Sequence, residues 1–310
     1  MVKKHLLILN WQFPPNAGIG GRRSAKLAKE WKNLGHEITI LTQSTSGTNK
    51  GSQSWINEED VNAFDYFFIQ KKNSFNALYF KTGLLNSALL WFLKKWHGLF
   101  TLGNPIDDCR FSGEEISQQL EYIHHNKPID LLFVSCAPFS LSVYAARFKI
   151  LHPEVLVWCD FRDPWKNAVN YGLQMLNSRQ LKSELNFQQE VSQGVDFISA
   201  PYPEILSEFE STSFKARLVL IPHFTDRKVN IEINSAMSKN PKFIYAGNLY
   251  EGALPFVIQG FLALQSLPSG DQPTLHFIGD IDQGTKEKMI SNYHNIIFSP
   301  WMNDGLDHQL

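Results

Sequence analysis

The order of segments at the start of the chain constrains its fold most. His5-Leu6-Leu7-Ile8-Leu9 is a short, wholly apolar run, as expected of a parallel strand buried on both faces. A loop with proline and glycine follows, from Gln12 through Phe13-Pro14-Pro15 to Gly18-Ile19-Gly20-Gly21. Ala25, Leu27, Ala28, Trp31 and Leu34 then recur at helical spacing, and Gly35 stands where a helix ends on a glycine. His36 to Thr42 reads as a second strand. A strand, a loop, a helix and a second strand in this order close a right-handed βαβ unit.

The theme repeats. Asp65–Ile69, Asp130–Ser135, Val155–Asp160, Asp196–Ser199 and Leu218–Ile221 read as further strands, with a helix through Tyr144 and Phe148 between two of them. This alternation predicts a doubly wound α/β domain over 1–225. From 226 to 241 the chain is polar and aperiodic, which predicts a linker. Over 242–310 the βαβ pattern resumes: strands at Phe243–Ala246, Leu275–Ile278 and Ile296–Phe298, with helices through Phe261 and Leu264 and over Lys286–Tyr293. Three strands make half of a two-unit nucleotide-binding sheet, so this second Rossmann-like domain is expected to be partial.

Length agrees with two domains, because 310 residues exceed what one core usually holds. Lys plus Arg number 29 against 30 Asp plus Glu, a net charge of -1, which argues against a general nucleic-acid binder. Cys109, Cys136 and Cys159 are odd in number, far apart and in no metal spacing, and read as reduced thiols of a cytoplasmic protein. No stretch of about 18 apolar residues occurs. The apolar run after Met1 is too short for a signal-peptide core.

Two segments carry candidate chemistry. The loop Gly18-Ile19-Gly20-Gly21-Arg22-Arg23 opens a helix, where free backbone N–H groups and added arginines suit an anion. A dinucleotide fingerprint fails, because Arg23 holds the third glycine position and Thr42-Gln43 offers no acid for a ribose. The bland alternative is a glycine turn with two solvated arginines. Asp160-Phe161-Arg162-Asp163-Pro164-Trp165 lies at the carboxyl end of a strand, where open α/β sheets bind ligands. Its carboxylates, guanidinium and indole suit sugar hydroxyls, ring stacking or proton transfer. Against this, Asp163-Pro164 also has the form of a helix N-cap followed by a first-turn proline.

Between Tyr66 and Ile106 there is no acid, while Leu85, Ala88, Leu89, Phe92, Trp96 and Leu99 share a helical face with Lys94, Lys95 and Trp91 nearby. Such a helix suits an anionic membrane or a lipid-linked acceptor, or it packs in a core with its lysines exposed. No serine-hydrolase elbow, metalloprotease motif or Walker loop is present. The ten histidines show no ligand spacing, and His223 falls near the expected cleft.

Taken together, Phe13-Pro14-Pro15 with Gly20-Gly21-Arg22, Leu27-Ala28, Gly35-His36-Glu37, Ser135 to Ser140, Asp160 to Trp165, Ile221-Pro222 and Tyr245-Ala246-Gly247-Asn248-Leu249-Tyr250 resemble bacterial retaining glycosyltransferases of the family 4 type, with the GT-B fold. The resemblance touches nearly the whole chain in order. It implies two facing Rossmann-like domains, an acceptor side first and a nucleotide-sugar side second, with no metal or other cofactor. It places Gly20, Gly21, Arg22 and Gly247 by the donor diphosphate or sugar, and Asp160, Arg162 and Asp163 in the catalytic cleft. Lys94, Lys95, Trp91 and Trp96 fall to the acceptor or to peripheral membrane contact at the inner face. The expected partners are a nucleotide sugar and a saccharide or lipid-linked acceptor, with no nucleic acid.

The chain departs from the family twice. After Gly247 it offers neither Arg nor Lys for donor phosphates, and Glu251 has the wrong sign. The family's later glutamate pair lies beyond Leu310. Weak or absent transfer by this chain alone is therefore expected, and the alternative to an enzyme is a non-catalytic binding or partner protein derived from the same fold. A GT-B epimerase ranks behind both, since its carboxylate and histidine signals are missing.

Overall fold

The computed structural model describes residues 2–16, 19–44, 63–70, 92, 96, 101–107, 109–166, 173, 176–210, 215–224, 242–247, 254–266, 268, 273–279, 281–293 and 295–300. The chain divides into two compact units, Met1–Asp226 and Arg227–Leu310.

The first unit is built on a seven-stranded sheet of β1 (His5–Leu9), β2 (Glu37–Gln43), β3 (Asp65–Ile69), β4 (Leu131–Cys136), β5 (Leu156–Phe161), β6 (Phe197–Ala200) and β7 (Arg217–Leu220). All neighbours pair in parallel, in the order β3-β2-β1-β4-β5-β6-β7. The winding direction reverses between β1 and β4. In open α/β sheets, ligands settle outside the carboxyl ends of the strands at such a switch point.

Around the sheet lie α1 (Arg22–Asn33), α2 (Gly113–Asn126), α3 (Ser140–Leu151), α4 (Ser178–Gly194) and α5 (Pro203–Glu210). β1 shows why both faces must be covered, since all five of its residues are buried. Leu7 and Leu9 pack into a cluster with Ile116 and Leu120 of α2 and Val191 of α4, whereas Leu6 and Ile8 pack with Ala28 of α1. That is the period-two alternation of a strand between two helical layers. On the α1 side, Trp31 meets the Phe133 ring edge-on at 5.3 Å, and Phe133 meets Trp158 at 5.1 Å. Full burial of one such aliphatic side chain stabilises by about 1.5–3 kcal/mol, so Leu7→Ala costs about 2–5 kcal/mol with its cavity included.

Local chemistry sets the helix ends. α1 stops at Gly35, whose φ of 89° lies in the left-handed region and whose N–H donates to Lys32 O at 2.9 Å. α4 starts on a reciprocal cap: Gln180 N–H donates to the Asn177 side chain, and Asn177 N–H donates to the Gln180 side chain.

The second unit carries β8 (Lys242–Ala246), α6 (Leu254–Gln265), β9 (Thr274–Ile278), α7 (Gln283–Asn292) and β10 (Ile296–Ser299). Its parallel sheet has the order β10-β9-β8, over a small core of Leu275, Phe277, Met289 and Tyr293. Gly247 and Gly279 end β8 and β9 at φ 146° and 147°. A Cβ on Gly279 would fall on the Gly247 carbonyl oxygen, so this edge requires glycine.

Candidate functional site

The pocket forms at the carboxyl edge of the first sheet. β1 runs into Asn10, whose side-chain amide donates to Ser24 Oγ at 2.5 Å and whose Oδ1 accepts from Gln12 N at 2.8 Å. These contacts fold the loop back on itself and place the start of α1 over the strand ends. The two glycines are the means of that fit. A Cβ on Gly21 would strike the backbone carbonyl of Gln12, and one on Gly20 would meet the Gln12 side chain and the Arg162 guanidinium. Both glycines are buried. The structure thus gives Gly20 and Gly21 a packing role, with the wall above them supplied by Gln12 and Arg162.

Arg22 and Arg23 part company at once, as neighbours on a helix must. Arg23 is 7% exposed and points inward to Asp160, itself 1% exposed. Its Nε donates to Asp160 Oδ2 at 2.9 Å and its Nη2 to Oδ1 at 3.2 Å. Nη1 and Nη2 also donate to the carbonyls of Pro222 and Ile221, each at 2.9 Å. Ser199, in register with Asp160 across β5 and β6, donates to Oδ1 at 2.5 Å. Each buried charge therefore meets an opposite charge and further hydrogen bonds, the condition under which a buried pair is tolerated. Asp160 is a brace between α1, β5, β6 and the end of β7, and does not present an open carboxylate.

Arg22 is exposed. With Arg23, Lys26, Arg162, Asp163, His223 and Phe224 it lines a cavity of about 510 Å³. Arg22 and Lys26 are one helical turn apart on the same face. Arg162 enters from the end of β5, with Nη2 at 3.4 Å from the Ala137 carbonyl and a buried Nε that has no hydrogen-bond partner among the described residues. His223 meets the Tyr202 ring edge-on at 5.8 Å, and Phe224 lies against the Arg23 guanidinium at 5.2 Å. The lining thus brings Arg22, Lys26 and Arg162 beside the Asp163 carboxylate and the already paired Arg23.

Two expectations for the 160–165 segment are corrected. Asp163-Pro164 begins no helix through Lys166. The amides that a cap would serve, those of Trp165 and Lys166, instead donate to Glu208 at 2.7 and 2.8 Å. The Trp165 indole is not a sugar platform: it is 2% exposed, stacked on Phe139 at 5.3 Å, and its Nε1 donates to Glu184 at 2.8 Å. Burial pushes the Glu184 carboxyl up, against the pull of Arg110 beside it. Together these contacts hold Asp163 at the pocket rim.

The three cysteines are buried, and burial pushes the Cys109 and Cys136 thiols well up, which makes them poor nucleophiles. One grouping is absent from any sequence spacing: donor atoms of His124, His152 and Glu154 lie within 4.8 Å of one another. Ile129 N–H donates to His124 Nδ1 at 3.1 Å, so the neutral ring carries its proton on Nε2, 3.3 Å from Glu154. That nitrogen donates to a carboxylate and has no lone pair to give a metal. His152 Nε2 faces Glu121 at 2.9 Å. The cluster is a hydrogen-bonded fastening between α2 and the loop after α3.

In the second unit, Gly279, Ile281, Asp282, Lys286, Phe298, Ser299 and Pro300 line a cavity of about 430 Å³ at the carboxyl edge of its sheet. Asp282 caps α7, accepting from Thr285 N at 2.9 Å, and hydrogen bonding from the Thr285 side chain, then from its backbone, holds the carboxyl below the ordinary range. Gly247 lies at this edge, and its N–H donates to Ile278 O at 2.9 Å. Residues 248–253, Glu251 among them, lie outside the described residues, as do Trp91, Lys94, Lys95 and the 226–241 stretch. Phe92 and Trp96 are described, at 55% and 56% exposure, with their rings stacked at 6.0 Å. Among the described residues no helix is long and apolar enough to cross a membrane.

No family description matches the chain, and no curated protein matches it in sequence. Solved structures do match in shape. TarM aligns with TM-score 0.61 at 8% identity, over 99% of this chain and 78% of that one. Sucrose-phosphate synthase from Thermosynechococcus elongatus aligns at 0.57 and 9%, over 97% and 71%. A glycosyltransferase from Rickettsia africae aligns at 0.51 and 13%, over 97% and 69%. Similarity at these identities establishes the fold, an α/β arrangement of the GT-B type.

Proposed function

We propose that this chain is a retaining glycosyltransferase of the family 4 kind, which moves a sugar from a nucleotide sugar to a saccharide or lipid-linked acceptor of the cell surface. The first unit would form the acceptor side and the second the nucleotide side. The observation that carries the reading is the cationic pocket of the first unit, at the sheet edge where a GT-B fold does its chemistry.

In this reaction the bond from the sugar's anomeric carbon to the diphosphate breaks, and a bond to an acceptor hydroxyl forms on the same face. The hydroxyl proton leaves with the diphosphate oxygen. Negative charge grows on the leaving group, so what a site must supply is cations held in place beforehand. Arg22, above the packed Gly20 and Gly21, and Arg162 are suited to that work. Asp163 at the rim would hold a sugar hydroxyl or face the oxocarbenium-like carbon. Asp160, through Arg23, is a positioning residue. No metal or other cofactor enters the scheme.

Gly247 and the edge of the second unit, with Lys286 at its cavity, would take the donor nucleotide. Phe92 and Trp96, exposed together, favour contact with the inner face of a membrane. Lys94→Glu with Lys95→Glu should then release the chain from anionic vesicles, and unchanged sedimentation would remove that part of the proposal.

Calorimetry with UDP-, GDP- and ADP-sugars tests the whole. Binding of one of them, weakened about tenfold or more by Arg162→Gln, is the expected result. No heat with any of the three would leave a non-catalytic relative of the fold.

A further inference from the structure

We infer that the acceptor presents a pyranose ring to the first unit, and that Tyr202, His223 and Phe224 form the wall that receives it. The inference rests on the glycosyl-transfer reading and goes further, to the chemical class of the acceptor: a saccharide held by the face of its ring.

Position is the first argument. β6 and β7 pair in register from Phe197 with Arg217 to Ala200 with Leu220, so the residues that follow them leave the carboxyl edge side by side. Tyr202 comes just after β6, and His223 and Phe224 come just after β7. The Tyr202 and His223 rings meet edge-on at 5.8 Å. His223 and Phe224 line the cavity of about 510 Å³, and Tyr202 extends their wall through its contact with His223.

The second argument is that these rings are held firmly yet left uncovered. Ile221 N–H donates to Ala200 O at 2.9 Å, and the carbonyls of Ile221 and Pro222 accept from Arg23, which Asp160 fixes in turn. Phe224 lies 5.2 Å from the same guanidinium. Tyr202 stands between Pro201 and Pro203, which narrow its backbone freedom. Even so, Tyr202 is 54% and Phe224 40% exposed, and His223 is exposed as well. Rings fixed in advance lose little freedom when a ligand settles on them. Exposed rings that adjoin one another beside a cavity mark a binding wall.

Chemistry selects the occupant. A pyranose carries C–H bonds along its face and hydroxyls around its rim. The face suits an aromatic ring, and the hydroxyls suit the Tyr202 phenol and the His223 imidazole. An alkyl chain would cover both polar tips and pair with neither. A nucleobase would also stack, but the donor nucleotide has its own place at the cavity of the second unit. The wall makes no use of Arg22 or Arg162, which stay with the donor diphosphate.

The test is saturation-transfer NMR on the full chain, with the methyl glycosides of glucose, galactose and N-acetylglucosamine as probes and uridine, guanosine and adenosine as competitors. Calorimetry with UDP-, GDP- and ADP-sugars runs beside it. The expected result is saturation of the ring C–H protons of at least one glycoside, undisturbed by the nucleosides. Phe224→Leu and Tyr202→Ala should each weaken that signal at least about threefold, whereas Tyr202→Phe keeps the ring and most of the signal. A melting temperature equal to the parent's shows that a variant is folded. Tyr202→Ala, at a surface position, carries the test if Phe224→Leu does not fold.

A nucleoside that displaces the glycoside would give the wall to a base and overturn the inference. A signal that survives both Phe224→Leu and Tyr202→Ala, or no signal from any glycoside, would overturn it as well. If a nucleotide sugar still binds in those cases, glycosyl transfer stands and only the wall falls. If a glycoside binds at the wall and no nucleotide sugar binds at all, the wall stands and the glycosyl-transfer reading fails.

Discussion

The two edges of the seven-stranded sheet treat charge in opposite ways. At the amino edge, charged groups are matched. Lys4 Nζ sits 2.7 Å from Asp130, whose other oxygen accepts from His5 N at 2.8 Å. Burial pushes the Asp130 carboxyl up, but Lys4 and the His5 amide pull it below the ordinary carboxylate range overall. Glu37 takes Lys3 and Lys127, and Lys149 reaches Asp196 at 2.9 Å. At the carboxyl edge one pair, Arg23–Asp160, is matched deep inside, while Arg22, Lys26 and Arg162 gather around a cavity with one carboxylate. One backbone scaffold tolerates both arrangements. Matching closes the amino edge, whereas at the carboxyl edge cationic side chains line an open cavity.

The largest effect should come from breaking the matched pair on the carboxyl edge. Asp160→Ala leaves Arg23 buried without its anion and should cost about 3–5 kcal/mol, read as a fall in melting temperature. Pairing Arg23→Met with Asp160→Leu should recover only part of the loss, because the carbonyls of Ile221 and Pro222 lose their donors. If Asp160→Ala were as stable as the parent, the brace would be no brace.

Next in size, Gly21→Ala drives a methyl group into the backbone of Gln12 and should cost about 1–3 kcal/mol. Gly20→Ala meets only the tips of Gln12 and Arg162, which can swing aside. It should cost less stability in urea titration while lowering anion affinity through the displaced Arg162. Equal losses in both variants would argue against this division of labour between the two glycines.

Reversing charge in the pocket should reverse the pattern. Arg22→Glu should change stability by no more than about 0.5 kcal/mol, since Arg22 is exposed. Nucleotide-sugar affinity should fall at least about tenfold. A large stability loss would mean that Arg22 is matched after all, and the contrast between the edges would collapse.

Most of the scaffold was legible in the sequence, because buried parallel strands are apolar throughout and β1, β4 and β5 announce themselves. The site was legible only as a neighbourhood. Arg22 and Arg23 look alike in sequence, and what separates them is Asp160, brought to Arg23 by the sheet order. Asp160 read as chemistry because it ends a strand, and its partner Ser199 is visible only in the register of β5 with β6. Lys26 passed for one more helical lysine, although its spacing from Arg22 was the available signal. The His124, His152 and Glu154 grouping had no signal at all, since two helices must pack before those residues meet.

The smallest effect belongs to the matched edge and takes the form of a slope. His5 is buried, with Nδ1 donating to the Pro128 carbonyl at 3.0 Å and Nε2 accepting from the Thr39 hydroxyl at 2.9 Å. The roles follow from Pro128, since a carbonyl only accepts. Burial lowers this imidazole below its ordinary 6.5, so the folded chain resists the proton that the unfolded chain takes up. Below pH 6.5 the unfolded state thus binds more protons, and stability must fall as the pH drops toward the folded value. Asp130 acts separately and lower, losing its contribution below its ordinary 3.8. His5→Gln should flatten the profile just under pH 6.5 and leave the acid limb from Asp130 intact. A profile unchanged by His5→Gln would place the titrating group elsewhere.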